Sequence, residues 1–212
     1  MSIYRPCVAS LVLLFVAACA PVVKTQVEAY SEIPADIEPK TVYIAPRDNT
    51  AAARLDWKAN AEVLAGVLSA KGFSTVPERS KARLTAFFDY SVDQGEIVQT
   101  TYSTPEWGVT GYSSANTYGS VYGNSYSSTT TLTPTYGVTG YRQGTMTGTL
   151  FTRTVHIDMI DNTTGKQVFQ VAGVSRGTCG SFSQVAAPII AAVLTSFPEA
   201  RSGYLQLPSS GC

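Results

Sequence analysis

The sequence predicts an α+β fold: two helices packed on one face of a mostly antiparallel sheet, with a long Tyr/Gly/Ser/Thr-rich β-ribbon or loop insertion. Three observations predict it. Apolar residues recur at helical spacing in two stretches, one after Leu55 and one after Phe182. Several short runs alternate apolar and polar residues, as half-buried strands do. The resulting order β, α, β, β, insertion, β, β, α suits a helical layer over a sheet.

Thr41 to Ala45 is a short β-prone run closed by Pro46, and Asp48-Asn49-Thr50 offers caps for the helix that follows. Leu55, Ala59, Val63, Val67 and Ala70 fall on one face of that helix, with Leu64 and Leu68 beside them. Lys71-Gly72 supplies a cationic last turn and a glycine stop. Phe73 to Val76 is a second short strand. Leu84, Ala86, Phe88, Tyr90 and Val92 alternate with polar or outward residues, and Val155, Ile157 and Met159 repeat the pattern. Asp161 to Gly165 is a turn cluster, and Lys166 to Val174 is the return arm of a hairpin. Val185, Ala186, Ile189, Ile190, Val193, Leu194 and Phe197 stripe the last helix. Ser181 and Gln184 have the spacing of a capping box, and Pro188 falls near the first turn, where proline costs least.

The N-terminus reads as an export signal. Arg5 is the sole charge before Lys24, and an apolar run from Val8 to Val16 leads to Ala17-Ala18. Val16-Ala17-Ala18-Cys19 resembles the bacterial lipobox, in which the cysteine is acylated and becomes the first residue of the mature chain. The alternative is an ordinary signal peptide cut near Ala20. The resemblance implies a signal over 1–18, a lipid on Cys19 and a bilayer as partner; several acyl chains together anchor stably. Ala20, rather than aspartate, follows the cysteine, which by the same resemblance implies the outer membrane, facing the periplasm. Residues 19–40, rich in Pro, Glu and Ala, read as a tether, residues 41–208 as one domain, and 209–212 as a tail.

Removing Arg5 from 15 Lys+Arg leaves 14 against 15 Asp+Glu, a net charge of −1 for the mature chain. That balance argues against nucleic acid as a partner. With Cys7 in the signal and Cys19 acylated, Cys179 and Cys212 remain; in an oxidising compartment they read as a disulfide, or else as two free thiols.

The insertion, 97–142, contains a repeated phrase. TPEWGVTGY at 104–112 returns as TPTYGVTGY at 133–141, with seven of nine positions identical. If the strands near Leu84–Val92 and Arg153–Asp161 pair antiparallel, partner numbers sum to about 245. The same register sets Thr104 opposite Tyr141 and Tyr112 opposite Thr133, with its midpoint at Tyr122-Gly123 beside Asn124, where a Gly-Asn pair turns the chain. The segment is then a ribbon whose Trp107, Tyr112, Tyr118, Tyr122, Tyr126, Tyr136 and Tyr141 offer a contact surface for an envelope protein or glycan. The alternatives are a floppy loop, or tyrosines that stack on one another.

The FFDYSV strand at 87–92, the IDMIDNTTGKQVFQ hairpin at 157–170 and the Ser196-Phe197-Pro198 helix end, with the lipobox and the Tyr/Gly-rich insertion, resemble a family of small bacterial lipoproteins catalogued only as a domain of unknown function. The resemblance implies a fold and a location but no activity. Catalytic patterns are missing: His156 is the lone histidine, Cys179 has no orienting third residue, and no G-x-S-x-G, H-E-x-x-H or Walker sequence occurs. Neither a zinc ligand set nor a cofactor motif is evident, and Asp158 and Asp161 flank a turn as lone carboxylates. The expectation is a non-catalytic, lipid-anchored binding or scaffolding protein of the outer membrane. The alternative is a surface-exposed structural module that self-associates through its Tyr-rich repeats.

Overall fold

The computed structural model describes residues 21–209 and 211; the signal, the lipobox and Cys212 lie outside the described residues. The chain divides into two units, residues 97–148 and the remainder.

The larger unit is built on a mixed sheet. Its strands are β1 (Val22–Ser31), β2 (Thr41–Pro46), β3 (Ser74–Thr75), β4 (Leu84–Val92), the C-terminal part of β6 (Ser125–Asp161), β7 (Gln167–Gly177) and β8 (Gly203–Pro208). They lie in the order β3-β2-β4-β6-β7-β1-β8, and β5 (Glu96–Tyr122) pairs with β6 off this path, giving eight strands. Two helices, α1 (Leu55–Ala70) and α2 (Ala186–Val193), contribute side chains to the same apolar core as the sheet.

This corrects the predicted α+β class. The protein is mostly β, one mixed eight-stranded sheet with two helices, and parallel pairs interrupt the antiparallel sheet expected. β2 runs parallel to both β3 and β4. The reason is α1: it lies between β2 and β3 in the chain and returns the backbone to the same end of the sheet, the crossover that parallel strands require.

A second correction concerns residues 19–40. Residues 22–31 are no tether but β1, an interior strand paired antiparallel with β7 and with β8. Val23, Thr25, Val27 and Ala29 point inward and are buried, while the residues between them are exposed. Ile37, in the connection to β2, is also buried. Beyond β8, the Ser209 N–H donates to the Pro21 carbonyl at 2.8 Å, so the domain extends outside 41–208 at its N-terminal end.

The register between β4 and β6 is the expected one, from Leu84 opposite Asp161 to Val92 opposite Arg153. It carries onward through β7 and β1, so that Phe88, Ile157, Val171 and Ala29 form one buried row across four strands. The predicted α2 stripe is buried throughout, from Val185 to Phe197. Its capping box does not form: the N-cap is Val185, with no side-chain bond. The later start places Pro188 in the first turn, where a backbone N–H has no helical partner. In α1 the buried stripe is Trp57, Asn60, Leu64 and Leu68, and Leu55 is exposed. Trp57 decides this rotation by donating from Nε1 to the Phe88 carbonyl at 3.1 Å. Gly173 on β7 lets α2 close on the sheet, since a Cβ there would collide with Val193 and lie 2.9 Å from Val155.

One ion pair closes the β4 edge of this core. Arg83 donates from Nη2 and Nε to the two Asp161 oxygens at 2.8 and 3.1 Å, and the Thr163 N–H adds a bond at 2.8 Å. These bonds, the Arg83 guanidinium first, hold the buried Asp161 carboxyl down at about 2. An unfolded aspartate titrates near ~3.9, so the pair contributes fully above about pH 4 and is lost as pH falls toward 2. Asp161→Asn should therefore cost on the order of 2 kcal/mol in urea melts at pH 7, with the gap from wild type narrowing by pH 2.

Candidate functional site

The smaller unit, residues 97–148, consists of β5 and the first part of β6, joined at Gly123-Asn124, the pair expected to turn the chain, one residue beyond the expected midpoint. Gly123 has φ 60°, a conformation that glycine adopts without strain. The segment is thus an ordered ribbon rather than a loop, and it extends to 148 rather than 142. No residue from 97 to 148 is buried.

The two copies of the phrase lie across from each other. Thr139 Oγ1 donates to the Glu106 carbonyl at 3.2 Å, and Thr110 Oγ1 donates to the Thr135 carbonyl at 3.3 Å. Nearer the turn, Thr117 and Thr130 share a hydroxyl bond of 2.9 Å. Glu106 and Arg142, the two charged residues of the unit, pair at 2.8 Å.

Glycines in strands leave gaps, and here tyrosines fill some of them. A Cβ on Gly144 would lie 2.6 Å from the Tyr102 ring, and one on Gly119 would lie 2.8 Å from the Tyr126 ring, so each ring covers a glycine on the opposite arm. This explains the Tyr/Gly composition: the rings cover backbone rather than each other. Among the described residues, ring–ring contacts all involve residues of the larger unit, such as Tyr90 stacked on Phe182 at 4.3 Å. The seven predicted contact residues, Trp107, Tyr112, Tyr118, Tyr122, Tyr126, Tyr136 and Tyr141, are each 61–92% exposed. Tyr102, left out of that set, lines a shallow hollow of about 340 Å³ with Thr104, Glu106, Arg142 and Gln143. Its position opposite Gly144 could not be read without the pairing.

The residues with chemical potential in the larger unit are not brought together. His156 lies half-buried on the face of β6 opposite Val155 and Ile157, which face the core. Asp158 pairs with Arg47 and accepts from Gln167, and Asp161 is held by Arg83, so both turn carboxylates serve as structural ion-pair partners. Among the described residues no group of three or more His, Cys, Asp or Glu could hold a metal ion, and no helix is long and apolar enough to cross a membrane. Cys179 is buried and is not a free thiol; Cys212 lies outside the described residues, as does Cys19.

A buried cation escaped the sequence reading. Arg153, Ser175 and Thr25 stand opposite one another on β6, β7 and β1, all buried. The Arg153 guanidinium reaches only neutral acceptors, the Ser175 hydroxyl at 3.4 Å and the Ser175 and Cys179 carbonyls at 3.5 Å. Burial pushes its pKa down, partly offset by Asp93. Thr25 Oγ1 has no hydrogen-bond partner. The row reads as a polar seam of the core.

No protein of curated description matches the chain. Among solved structures it is similar to a PDZ domain protein from Parabacteroides distasonis ATCC 8503, at 10% identity and a TM-score of 0.43. That match covers 88% of this chain, which spans 39% of the other. It is also similar to the PelC dodecamer from Paraburkholderia phytofirmans, at 18% identity and a TM-score of 0.39, covering 81% of this chain and 95% of that one. A family model described as "Domain of unknown function (DUF4136)" matches residues 26–199, from β1 to just past α2. The chain belongs to that family.

Proposed function

We propose that this protein is a non-catalytic binding or scaffolding protein, anchored by lipid on Cys19 to the bacterial outer membrane and facing the periplasm, with the ribbon as its contact surface. The observation that carries the reading is the ribbon itself. It holds a long aromatic surface open to solvent on a unit with no buried residue, and large aromatic side chains with few rotors are well suited to contact. Val16-Ala17-Ala18-Cys19 supports the anchor. With β1 starting at Val22, only Ala20 and Pro21 separate the acylated residue from the sheet. At about 3.8 Å per residue, that span is roughly 11 Å, so the domain rides close against its bilayer instead of reaching out on a leash.

The cysteine pair belongs to the same reading. Gly211 lies so near Gln184 that an added Cβ would collide with the Gln184 carbonyl oxygen. That contact brings the chain immediately before Cys212 close to the segment that starts at Cys179. A Cys179–Cys212 bridge would staple the two, and by chain entropy it is worth roughly 3–4 kcal/mol.

Three outcomes follow. Cys19→Ala should abolish fatty-acid probe labelling and release the protein from the membrane fraction. Non-reducing mass spectrometry of the periplasmic protein should show Cys179 and Cys212 in one linked peptide pair. Replacing residues 102–141 with a short Gly-Ser turn should give a cooperatively folding protein whose melting temperature stays within a few degrees of the parent's. Loop-closure entropy changes little, and no buried side chain is removed. That variant should lose the partners that crosslinking captures with the parent; retention of every partner would rule out the ribbon as contact surface.

A further inference from the structure

The repeated phrase gives the ribbon a local two-fold axis. Copy one maps onto copy two by adding 29, so Glu106 corresponds to Thr135, Gly108 to Gly137 and Thr110 to Thr139. The contacts obey the same mapping. The Thr139 bond to the Glu106 carbonyl is the counterpart of the Thr110 bond to the Thr135 carbonyl. A Cβ added to Gly108 would lie 3.1 Å from Thr139, and one added to its counterpart Gly137 would lie 2.9 Å from Thr110. Duplication has placed one sequence antiparallel to itself, and each half meets what the other half meets.

The axis sorts the side chains by face. Gly108, Thr110, Gly137 and Thr139 touch across the arms, so they share one face. Strand alternation then puts Trp107, Val109, Tyr136 and Val138 together on the other. These four are apolar or aromatic and 40–71% exposed. The edges are less available. Pro105 and Pro134 occupy equivalent positions, and a proline fits a paired strand only where its missing N–H faces away from the partner, so each outer edge is interrupted at the same place.

We propose that this face is a homodimer contact: two copies of the chain stack their ribbons through Trp107, Val109, Tyr136 and Val138, axis upon axis. The proposal rests on the reading of the ribbon as contact surface and names its partner. Three observations select a second copy. An isolated two-stranded ribbon is marginal in water, and this one buries no side chain, so a covering layer is what it lacks. Its two charges neutralise each other, leaving nothing to select an acidic or basic partner and nothing to repel an identical ribbon. An asymmetric partner would engage one half of a two-fold face and leave the other idle. A second ribbon carries the same axis and matches both halves in a closed, isologous contact.

The test is the mass of the full-length chain in detergent, followed by light scattering over a concentration series with the detergent contribution subtracted. The expected result is a monomer–dimer equilibrium whose dissociation constant rises at least tenfold in the Trp107→Ser/Tyr136→Ser variant. Trp107→Tyr, which makes the two copies more alike, should stay within about threefold of wild type. Tyr118→Ser/Tyr122→Ser, outside the phrases, should do the same. Thermal melts run alongside, and unchanged melting in the double-serine variant separates lost association from lost folding. A dimer that all variants retain equally overturns the proposal, and so does growth beyond the dimer, which a closed two-fold contact does not allow. A chain that stays monomeric overturns it too. If the ribbon-replaced protein then still loses its crosslinked partners, the contact-surface reading survives without the homodimer; if it keeps them, both readings fall.

Discussion

The register of β6 is the constraint on which the rest of the molecule depends. From Arg153 to Ile160 this strand is paired on both sides, and its alternate residues are buried at every second position. A slip of one residue would turn Val155, Ile157 and Met159 out to water and bring Thr154, His156 and Asp158 inward. The same shift would break the buried row that runs from Phe88 through Ile157 and Val171 to Ala29. Both helices then close on a surface whose pattern is already set. Trp57 ties α1 to the β4 backbone, and the small Gly173 admits α2.

That core is not uniformly apolar, and its exception has a position. Arg153, Ser175 and Thr25 form the row where the buried face meets the segment after β7. A guanidinium surrounded by neutral acceptors is costly, because burial disfavours its charge and Asp93 offsets only part of the loss. The side chain nevertheless binds the carbonyls of Ser175 and Cys179, and so fixes the backbone that leads to α2. The core thus gives up some stability at this row and gains a fixed path for the chain there.

What the sequence discloses is sorted by range. The pairing of β4 with β6 could be read because both strands alternate cleanly and are rich in Val, Ile and Phe. The stripe from Val185 to Phe197 could be read because it is apolar along its whole length. β1 escaped because Thr25 and Ala29, neither of them strongly apolar, fill two of its inward positions, and Lys24 and Glu28 give the segment the look of a linker. β8 is six residues long, with only Leu205 and Leu207 to mark it. The parallel pairing of β2 depends on where α1 delivers the chain, which no local pattern encodes. In the ribbon, the duplicated phrase and its turn were legible from numbering alone. Which residues share a face was not, because that depends on which arm-to-arm contacts form.

The strand order has a consequence in time. β1 is the first regular element among the described residues, yet its neighbours are β7 and β8: Thr25 lies opposite Ser175, and Val22 opposite Pro208. Those partners follow it by most of the described chain, so β1 stays unpaired until β7 and β8 have been made. Pairings this distant in sequence also slow folding once the chain is complete. For a protein that crosses a membrane before it folds, as proposed here, such lateness is useful. If the chain is exported as proposed, it remains threadable until β7 and β8 have been made.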